Sequence, residues 1–382
     1  MTNLYEILGV DPKAKSTTLR NAYRKLAREC HPDINPDPKA HERMALINSA
    51  FETLNDPVRR QEYDQVLFGH AVAVSTELGE ERPHENVSVR MFKRLKEHRT
   101  PIYSIAFDKE TNCMISSSFD NQILWWDEEF EVKRSLRLEG GVVNVVHPIQ
   151  NDRIVAAGCS ESLISTWHIQ SGEVVSWRNT PLEWICCVNI APDGNRVGLG
   201  SLHSTMQVCK STTGEPVYSR SQHTESVTAI GWSPDGQILA SGSADATVKL
   251  WAATTGRLLE TLTNIRSTVT AITFSADSRF LAIAAVDRSV RIFRLGDLEL
   301  VKTFFGHEKP IENLAFHPSG HLLASVGRDG VVYLWNVLQG RGHGRIEAST
   351  QPLSAVAFSP DGSMLATGGL DKILRLWQLE FN

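Results

Sequence analysis

The sequence predicts a multidomain fold, in which a small all-α segment is followed by a larger all-β segment. Two patterns predict it. From residue 1 to about 68, apolar residues recur at three- and four-residue steps, which is the period of a helix. From about residue 87, short runs of alternating apolar and polar residues are separated by turn residues, which is typical of strands. Residues 71–86 have little apolar pattern and contain Gly79 and Pro83, so we expect domains at 1–70 and 87–382 joined by this linker.

Two facing helices are expected in the α segment. The first begins at Ser16 and carries one apolar stripe to Cys30. Pro32 ends it, because the residue before a proline is pushed out of the α region. Asp37 followed by proline then gives a helix start, and a second stripe runs over residues 44–54. These segments predict a helical hairpin.

The β segment contains an internal repeat. The third apolar run of each unit ends on a large apolar residue or a cysteine, at steps of 41 or 42 residues: Trp126, Trp167, Cys209, Trp251, Phe293, Trp335 and Trp377. A period of this length with four short strands per unit is the signature of a β-propeller. The seven units therefore predict an all-β, seven-bladed propeller over residues 87–382. In later units a fourth strand precedes the histidine, as before His223 and His307, and residues 87–95 precede His98 in the same way. We therefore expect residues 87–95 to be the fourth strand of the last blade and to close the ring.

Composition excludes several classes of function. The formal charge of -5 argues against a general binder of nucleic acid or of anionic membranes. The N-terminus has no basic patch followed by a long apolar run, and no apolar stretch reaches eighteen residues, so we expect a cytoplasmic protein without a membrane segment. The six cysteines form no C-x-x-C pair and no zinc-type spacing, so neither metal nor cofactor is expected.

Histidine, serine or threonine, aspartate and tryptophan recur at fixed positions in the repeat, and on these residues it resembles the WD-repeat family. The resemblance implies a side-chain network that braces a turn in each blade. It is complete in three units: His98, Ser116, Asp120 and Trp126; His223, Ser241, Asp245 and Trp251; His307, Ser325, Asp329 and Trp335. The seventh unit keeps Thr367, Asp371 and Trp377 but has Ser349 in place of histidine.

The same Ser, His and Asp sets could be read as hydrolase triads. Repetition once per blade is what a turn-bracing network predicts, whereas an active site occurs once. No G-x-S-x-G, P-loop or H-E-x-x-H motif is present. We therefore expect no enzyme activity.

The predicted first long helix has a basic row. Arg20, Arg24, Lys25 and Arg28 lie within nine residues without an acid among them, and three of them are four residues apart. On charge alone this row is either an ordinary solvated face or a docking surface for an acidic protein. It runs directly into His31, Pro32 and Asp33.

Together with LYEILGVDPKA, LRNAYRKLA and INSAFETLNDPVRRQEYD, this arrangement resembles a J-domain of the DnaJ family over residues 1–70. The resemblance implies binding to a DnaK-type chaperone, of the seventy-kilodalton heat-shock class, and stimulation of its ATP hydrolysis. The basic row with Tyr23 at its margin would dock on acidic chaperone surface. Asp33 would contact a cationic group of the chaperone, while His31 and Pro32 fix the loop.

Departures from the DnaJ pattern leave an alternative open. Glu29 and Ile34 stand where that family often has basic residues, and Cys30 where an aromatic residue is usual. The alternative is a WD-repeat interaction scaffold whose J-domain is weakened or inactive.

Client or partner proteins are expected at one rim of the propeller channel. The WD-type positions that face this rim are Pro101, Tyr103, Phe119, Trp184, Leu202, Glu312 and Arg328. Several of them are large and apolar, and exposed apolar residues clustered on one surface are typical of protein-binding sites.

Overall fold

A computed structural model of the chain describes residues 4–10, 16–29, 44, 47–48, 50–51, 54–55, 87–108, 113–120, 122–137, 143–149, 153–158, 163–168, 174–179, 182 and 184–381. Side chains are described in these ranges except at some helical positions and within residues 143–179. The chain forms two compact units, an N-terminal one with the helices and a second one with the sheets.

The N-terminal unit contains helix α1 (Leu4–Leu8) and helix α2 (Ser16–Glu29), and the backbone is also helical at the described positions between 44 and 55. Its core consists of apolar residues from all three segments that are at most 2% exposed: Tyr5, Leu8, Leu19, Ile47, Ala50 and Leu54. The two predicted apolar stripes therefore face one another in the described part of the unit.

The second unit consists of seven four-stranded antiparallel sheets. Sheet 1 holds β2 (Ile102–Phe107), β3 (Met114–Ser118), β4 (Gln122–Trp126) and β5 (Val132–Arg137). Sheet 2 holds β6 (Val143–Ile149), β7 (Arg153–Gly158), β8 (Leu163–His168) and β9 (Val174–Asn179). Sheet 3 holds β10 (Ile185–Ile190), β11 (Arg196–Ser201), β12 (Met206–Lys210) and β13 (Pro216–Arg220).

The remaining sheets follow the same order. Sheet 4 holds β14 (Val227–Trp232), β15 (Ile238–Ser243), β16 (Val248–Ala252) and β17 (Leu258–Leu262). Sheet 5 holds β18 (Val269–Phe274), β19 (Phe280–Ala285), β20 (Ser289–Arg294) and β21 (Leu300–Phe305). Sheet 6 holds β22 (Ile311–Phe316), β23 (Leu322–Gly327), β24 (Val331–Asn336) and β25 (Arg341–Glu347). Sheet 7 holds β26 (Leu353–Phe358), β27 (Met364–Gly369), β28 (Leu374–Phe381) and β1 (Val87–Leu95).

Burial explains why the repeat folds as stacked sheets. The second strand of a sheet is buried on both faces, as in β15, β19 and β23, where all six residues are buried. Small residues such as Ala240 and Ala282 alternate there with larger ones, so that neighbouring sheets can approach closely. The first strand of each sheet contacts the first strand of the next, and β26 contacts β2. This is the arrangement of a β-propeller, so that prediction is confirmed.

Strand β1 lies at the outer edge of sheet 7, where the sequence analysis expects it. It pairs antiparallel with β28, from Val87 opposite Phe381 to Leu95 opposite Leu374. Its side chains alternate, so that Val87, Val89 and Met91 pack on the core while the residues between them are exposed. The sheet thus combines a strand from residues 87–95 with three strands from the end of the described chain.

Candidate functional sites

The residues expected to dock a DnaK-type chaperone are only partly described. Arg20, Arg24 and Arg28 belong to α2, where the structure describes their backbone. Lys25 is exposed on the same helix. His31, Pro32 and Asp33 lie outside the described residues.

Tyr23 contributes to packing within the N-terminal unit. Its ring stacks on Phe51 with centroids 4.1 Å apart, and its hydroxyl donates a hydrogen bond of 3.1 Å to the Asn48 side chain. The residue is half-buried, so part of its surface remains accessible. Tyr23 therefore joins α2 to the following helical segment, in addition to any role at the surface.

The expected four-residue network is formed in sheet 4. His223 Nδ1 lies 2.9 Å from the Asp245 carboxylate, and His223 Nε2 lies 2.8 Å from the Ser241 hydroxyl. The Trp251 indole N–H donates to the same hydroxyl at 2.8 Å. Because the carboxylate only accepts, Nδ1 carries the proton and Nε2 accepts from Ser241. The chain of bonds therefore joins a surface turn to the core of the sheet.

Sheet 6 repeats this geometry with its own residues. His307 Nδ1 lies 2.9 Å from Asp329, His307 Nε2 lies 2.8 Å from Ser325, and the Trp335 indole donates to Ser325 at 2.9 Å. Burial by itself raises the pKa of Asp329, but hydrogen bonds from His307 and from backbone amides outweigh burial and lower it. The aspartate is therefore ionised and paired near neutral pH.

Burial decides between a brace and a catalytic triad. The serines of both networks, Ser241 and Ser325, are 0% exposed, and each already accepts a hydrogen bond from a tryptophan. A nucleophile has to be reached by the substrate carbonyl. Burial also lowers the pKa of His223. The arrangement is therefore suited to holding the turn in place.

In sheet 1 the structure differs from the predicted network. His98 Nε2 lies 2.7 Å from Ser116, and Trp126 donates to Ser116 at 2.8 Å, but His98 Nδ1 is buried without a partner. Asp120 instead accepts a hydrogen bond from the neighbouring Ser118 hydroxyl. Burial lowers the pKa of His98 to about 4, against the attraction of Asp120. The prediction of a complete network in this unit is wrong, because Ser118 donates to the carboxylate here, whereas the equivalent Ser243 of sheet 4 donates to the Glu225 carbonyl.

Two sheets use an arginine where the histidine is missing. In sheet 7, Arg375 donates to Asp371 at 2.5 Å, Ser349 donates to it at 2.6 Å, and Trp377 donates to Thr367 at 3.0 Å. In sheet 5, Arg291 donates to Asp287 at 2.6 Å. Both arginines are buried and lie four residues after their aspartate. These arginines were not predicted from the sequence, although an arginine four residues after the turn aspartate is a recognisable pattern.

One surface of the propeller is defined by a repeated backbone hydrogen bond. We call it the rim: the turn between the second and third strands of each sheet, with the loop that leads into the first strand. In the six sheets with described side chains, the turn amide donates to the loop carbonyl at 2.9 to 3.0 Å: Phe119 to Pro101, Leu202 to Trp184, Ala244 to Ser226, Val286 to Thr268, Arg328 to Pro310 and Leu370 to Pro352. These positions are therefore equivalent around the ring.

The large apolar residues expected at the rim are exposed. Phe119, Trp184 and Leu202 expose 52%, 54% and 49% of their surface. Tyr103 is half-buried, and its ring centroid lies 6.1 Å from that of Phe119. Pro101 is half-buried beside them.

The two charged residues expected at the rim, Glu312 and Arg328, form an ion pair in sheet 6. Two further apolar rim residues were missed by the sequence analysis, namely Val286 and Leu370, which are 42% and 39% exposed. Both occupy the position equivalent to Phe119 and could have been found by extending that position to every unit.

Other types of site are not found in the described part of the chain. Within it, His, Cys, Asp and Glu side chains form no group of three or more that could hold a metal ion. Among the described helices, none has the length and apolar character needed to cross a membrane.

Models of known families match both the N-terminal segment and the β segment of the chain. The model of the DnaJ domain matches residues 3–64. The model described as WD domain, G-beta repeat, matches residues 90–127, 214–252, 256–294, 298–336 and 340–378, which together cover about half of the chain. The second and most of the third repeat unit fall between the first two of these ranges.

Curated relatives match at the N-terminus. Chaperone protein DnaJ of Dictyoglomus thermophilum is 53% identical over 66 residues, which are 17% of this chain and 16% of that protein. Chaperone protein DnaJ 2 of Streptomyces avermitilis is 51% identical over 63 residues, 16% of this chain and 17% of that protein. The chain thus spans about one-sixth of the length of these relatives. The protein is a member of the WD-repeat family that carries a DnaJ domain at its N-terminus.

Proposed function

We propose that this protein is a J-domain co-chaperone that stimulates ATP hydrolysis by a DnaK-type chaperone and binds client or partner proteins through its propeller. The observation that carries the proposal is the DnaJ-domain match over residues 3–64, which includes His31, Pro32 and Asp33. The described core of α1, α2 and the segment up to residue 55 supports it, because a packed hairpin is needed to hold a docking loop between two helices.

In this proposal the basic row and the loop have different tasks. Arg20, Arg24, Lys25 and Arg28 attract an acidic chaperone surface, and the loop with Asp33 delivers the signal for hydrolysis. Histidine and aspartate then act as ligands of another protein's ATPase, so no catalytic site is required in this chain. The absence of enzyme activity and a cytoplasmic location belong to the same proposal.

The propeller supplies the binding half. We propose that it is one closed ring of seven blades, a reading supported by the seven sheets and by the contact of β26 with β2. In this proposal the domains are 1–70 and 87–382, with 71–86 as a linker. Clients bind at the rim, where Phe119, Trp184 and Leu202 are exposed.

The test is single-turnover ATP hydrolysis by a DnaK-type chaperone with the full-length protein. Asp33→Asn removes the charge that the proposal requires, so it should abolish the stimulation. Asp193→Asn, at an exposed turn of the propeller, is the matched control and should stimulate like the wild type. Equal stimulation by wild type and Asp33→Asn would reject the proposal.

The alternative function is an interaction scaffold with an inactive J-domain. It is favoured only by Glu29, Cys30 and Ile34, which depart from the DnaJ pattern around the loop. The same assay separates the two functions, because a scaffold leaves the chaperone's hydrolysis rate unchanged whether Asp33 is present or not.

A further inference from the structure

The rim has an apolar arc. In the adjacent sheets 7 and 1 the turn position is occupied by Leu370 and Phe119, and in sheet 3 by Leu202 with Trp184 beside it; the turn of sheet 2 lies outside the described residues. These four side chains are 39% to 54% exposed. Large apolar residues at equivalent positions on one surface form a patch, whereas isolated exposed residues do not.

The backbone at Trp184 is a second observation on this arc. Its φ is 55°, in the left-handed region that bulky side chains rarely adopt. The Trp184 carbonyl accepts the 3.0 Å hydrogen bond from the Leu202 amide, as the equivalent residue does in the other described sheets. Strained residues persist mainly where the strain presents a side chain for use. Here the strain presents a half-exposed indole at the rim.

The rim also has a basic arc, on sheets 5, 6 and 7. Five exposed basic residues lie in the turns and loops of these sheets: Arg266, Arg288, Lys309, Arg328 and Lys372. Two glutamates accompany them, Glu308 and Glu312, and the second is paired with Arg328. The turn aspartates of the same sheets are already hydrogen-bonded by His307, Arg291 or Arg375. This arc is therefore positive, although the whole chain has a net charge of -5.

We propose that the rim binds an extended polypeptide segment that carries carboxylates together with large apolar side chains. The apolar residues pack against Phe119, Trp184 and Leu202, and the carboxylates pair with the basic arc. This inference rests on the proposed function, because it names the chemistry of the partner that the propeller holds. Complementary charge gives such a site its specificity and association rate, while the aromatic residues supply most of the affinity.

A polypeptide fits these observations better than a nucleic acid. Phosphate binding favours a continuous basic surface and a positive protein, whereas glutamates interrupt the basic arc and the chain is acidic. Aliphatic residues such as Leu202 and Leu370 offer no stacking surface to a base, but they fit apolar side chains.

The test measures binding to the full-length protein by fluorescence anisotropy. Four labelled probes of equal length are compared: a peptide of glutamate, leucine and phenylalanine; the same peptide with serine in place of the apolar residues; the same peptide with lysine in place of glutamate; and a uridine oligonucleotide. The first probe should bind most tightly, with an affinity that falls as salt is raised.

Variants assign the binding to the two arcs. Trp184→Asn keeps a residue that tolerates the left-handed backbone and should weaken the first probe about tenfold. Its control is Leu338→Ser in the turn between β24 and β25, at the opposite end of the sheet from the rim, where Leu338 is 45% exposed. Arg288→Ala with Lys372→Ala should weaken binding roughly two- to fivefold per residue and reduce its salt dependence. The matched control is Lys133→Ala with Lys210→Ala, because both lysines are exposed towards the end of their sheets opposite the rim.

The outcomes separate this inference from the proposed function. Tightest binding of the oligonucleotide, equal binding of the lysine and glutamate peptides, or equal losses in rim and control variants would each overturn the inference. Chaperone stimulation is measured on the same variants. If it is intact while the inference fails, the co-chaperone function stands with another binding surface. If it is absent while the first probe binds as expected, the rim is assigned and the co-chaperone function is rejected.

Discussion

The Ser241 hydroxyl is the centre of the network in sheet 4, so its removal tests the bracing role most sharply. It bonds both His223 Nε2 and the Trp251 indole, and the serine is 0% exposed. Ser241→Ala leaves two buried polar groups without a partner, and each such group costs about 1 to 3 kcal/mol. We therefore expect a loss of roughly 2 to 6 kcal/mol in the free energy of unfolding.

The chain offers a matched control in Ser117. This serine is also 0% exposed and lies within a strand, β3, but its hydroxyl is buried without a hydrogen-bond partner. Removing a buried hydroxyl that has no partner removes its desolvation cost. Ser117→Ala should therefore leave the stability unchanged or raise it by up to about 1 kcal/mol.

Urea unfolding followed by tryptophan fluorescence is the suitable assay. All nine tryptophans lie between residues 125 and 377, so the signal reports on the propeller alone. The variants are compared by the shift of the urea concentration at the midpoint of unfolding, provided that the slope of the transition stays the same. This condition is needed because a large repeat protein need not unfold in one step. Equal shifts for Ser241→Ala and Ser117→Ala would refute the bracing network as a source of stability.

Two further predictions concern charged groups of the propeller. Burial lowers the pKa of His98 from 6.5 to about 4, so the unfolded chain binds the proton more readily than the folded one. The free energy of unfolding should therefore be highest above pH 6.5 and should fall as the pH drops from 6.5 towards 4. His98→Gln should reduce this decline when urea midpoints are measured as a function of pH. Arg375→Met should destabilise the protein by roughly 3 kcal/mol in the same assay, because the Asp371 carboxylate loses its buried charged partner. The control is Arg345→Met, which should leave the midpoint unchanged because the ion pair of Arg345 with Glu347 is exposed. Equal losses for the two variants would contradict a stabilising role of the buried Arg375–Asp371 pair.

Periodicity was sufficient to predict the core and the topology. In the N-terminal unit the apolar residues at three- and four-residue steps, such as Leu19, Ile47 and Leu54, are the buried ones, because helix packing depends directly on that period. In the propeller, the repeat of about 42 residues placed the strands and identified residues 87–95 as the partner of β28. Both features follow from one-dimensional patterns.

Side-chain competition was not predictable in the same way. His98, Ser116 and Asp120 have the spacing found in sheets 4 and 6, yet Asp120 bonds Ser118 and leaves His98 Nδ1 without a partner. A serine stands two residues before the aspartate in sheets 1 and 4, but Ser118 donates to Asp120 whereas Ser243 donates to the Glu225 carbonyl, and residue spacing does not distinguish these two orientations. The apolar part of the rim was also predicted incompletely, because the position of Phe119 before the turn aspartate was not extended to Val286 and Leu370.

The rate of single-turnover ATP hydrolysis by a DnaK-type chaperone is the most direct measurement of the central claim, which is that the two halves of this chain have separate tasks. With the full-length protein the rate should rise; it should stay at the unstimulated level with Asp33→Asn and rise normally with Trp184→Asn, since the rim is not needed for the signal. Equal rates with wild type and Asp33→Asn would contradict the account.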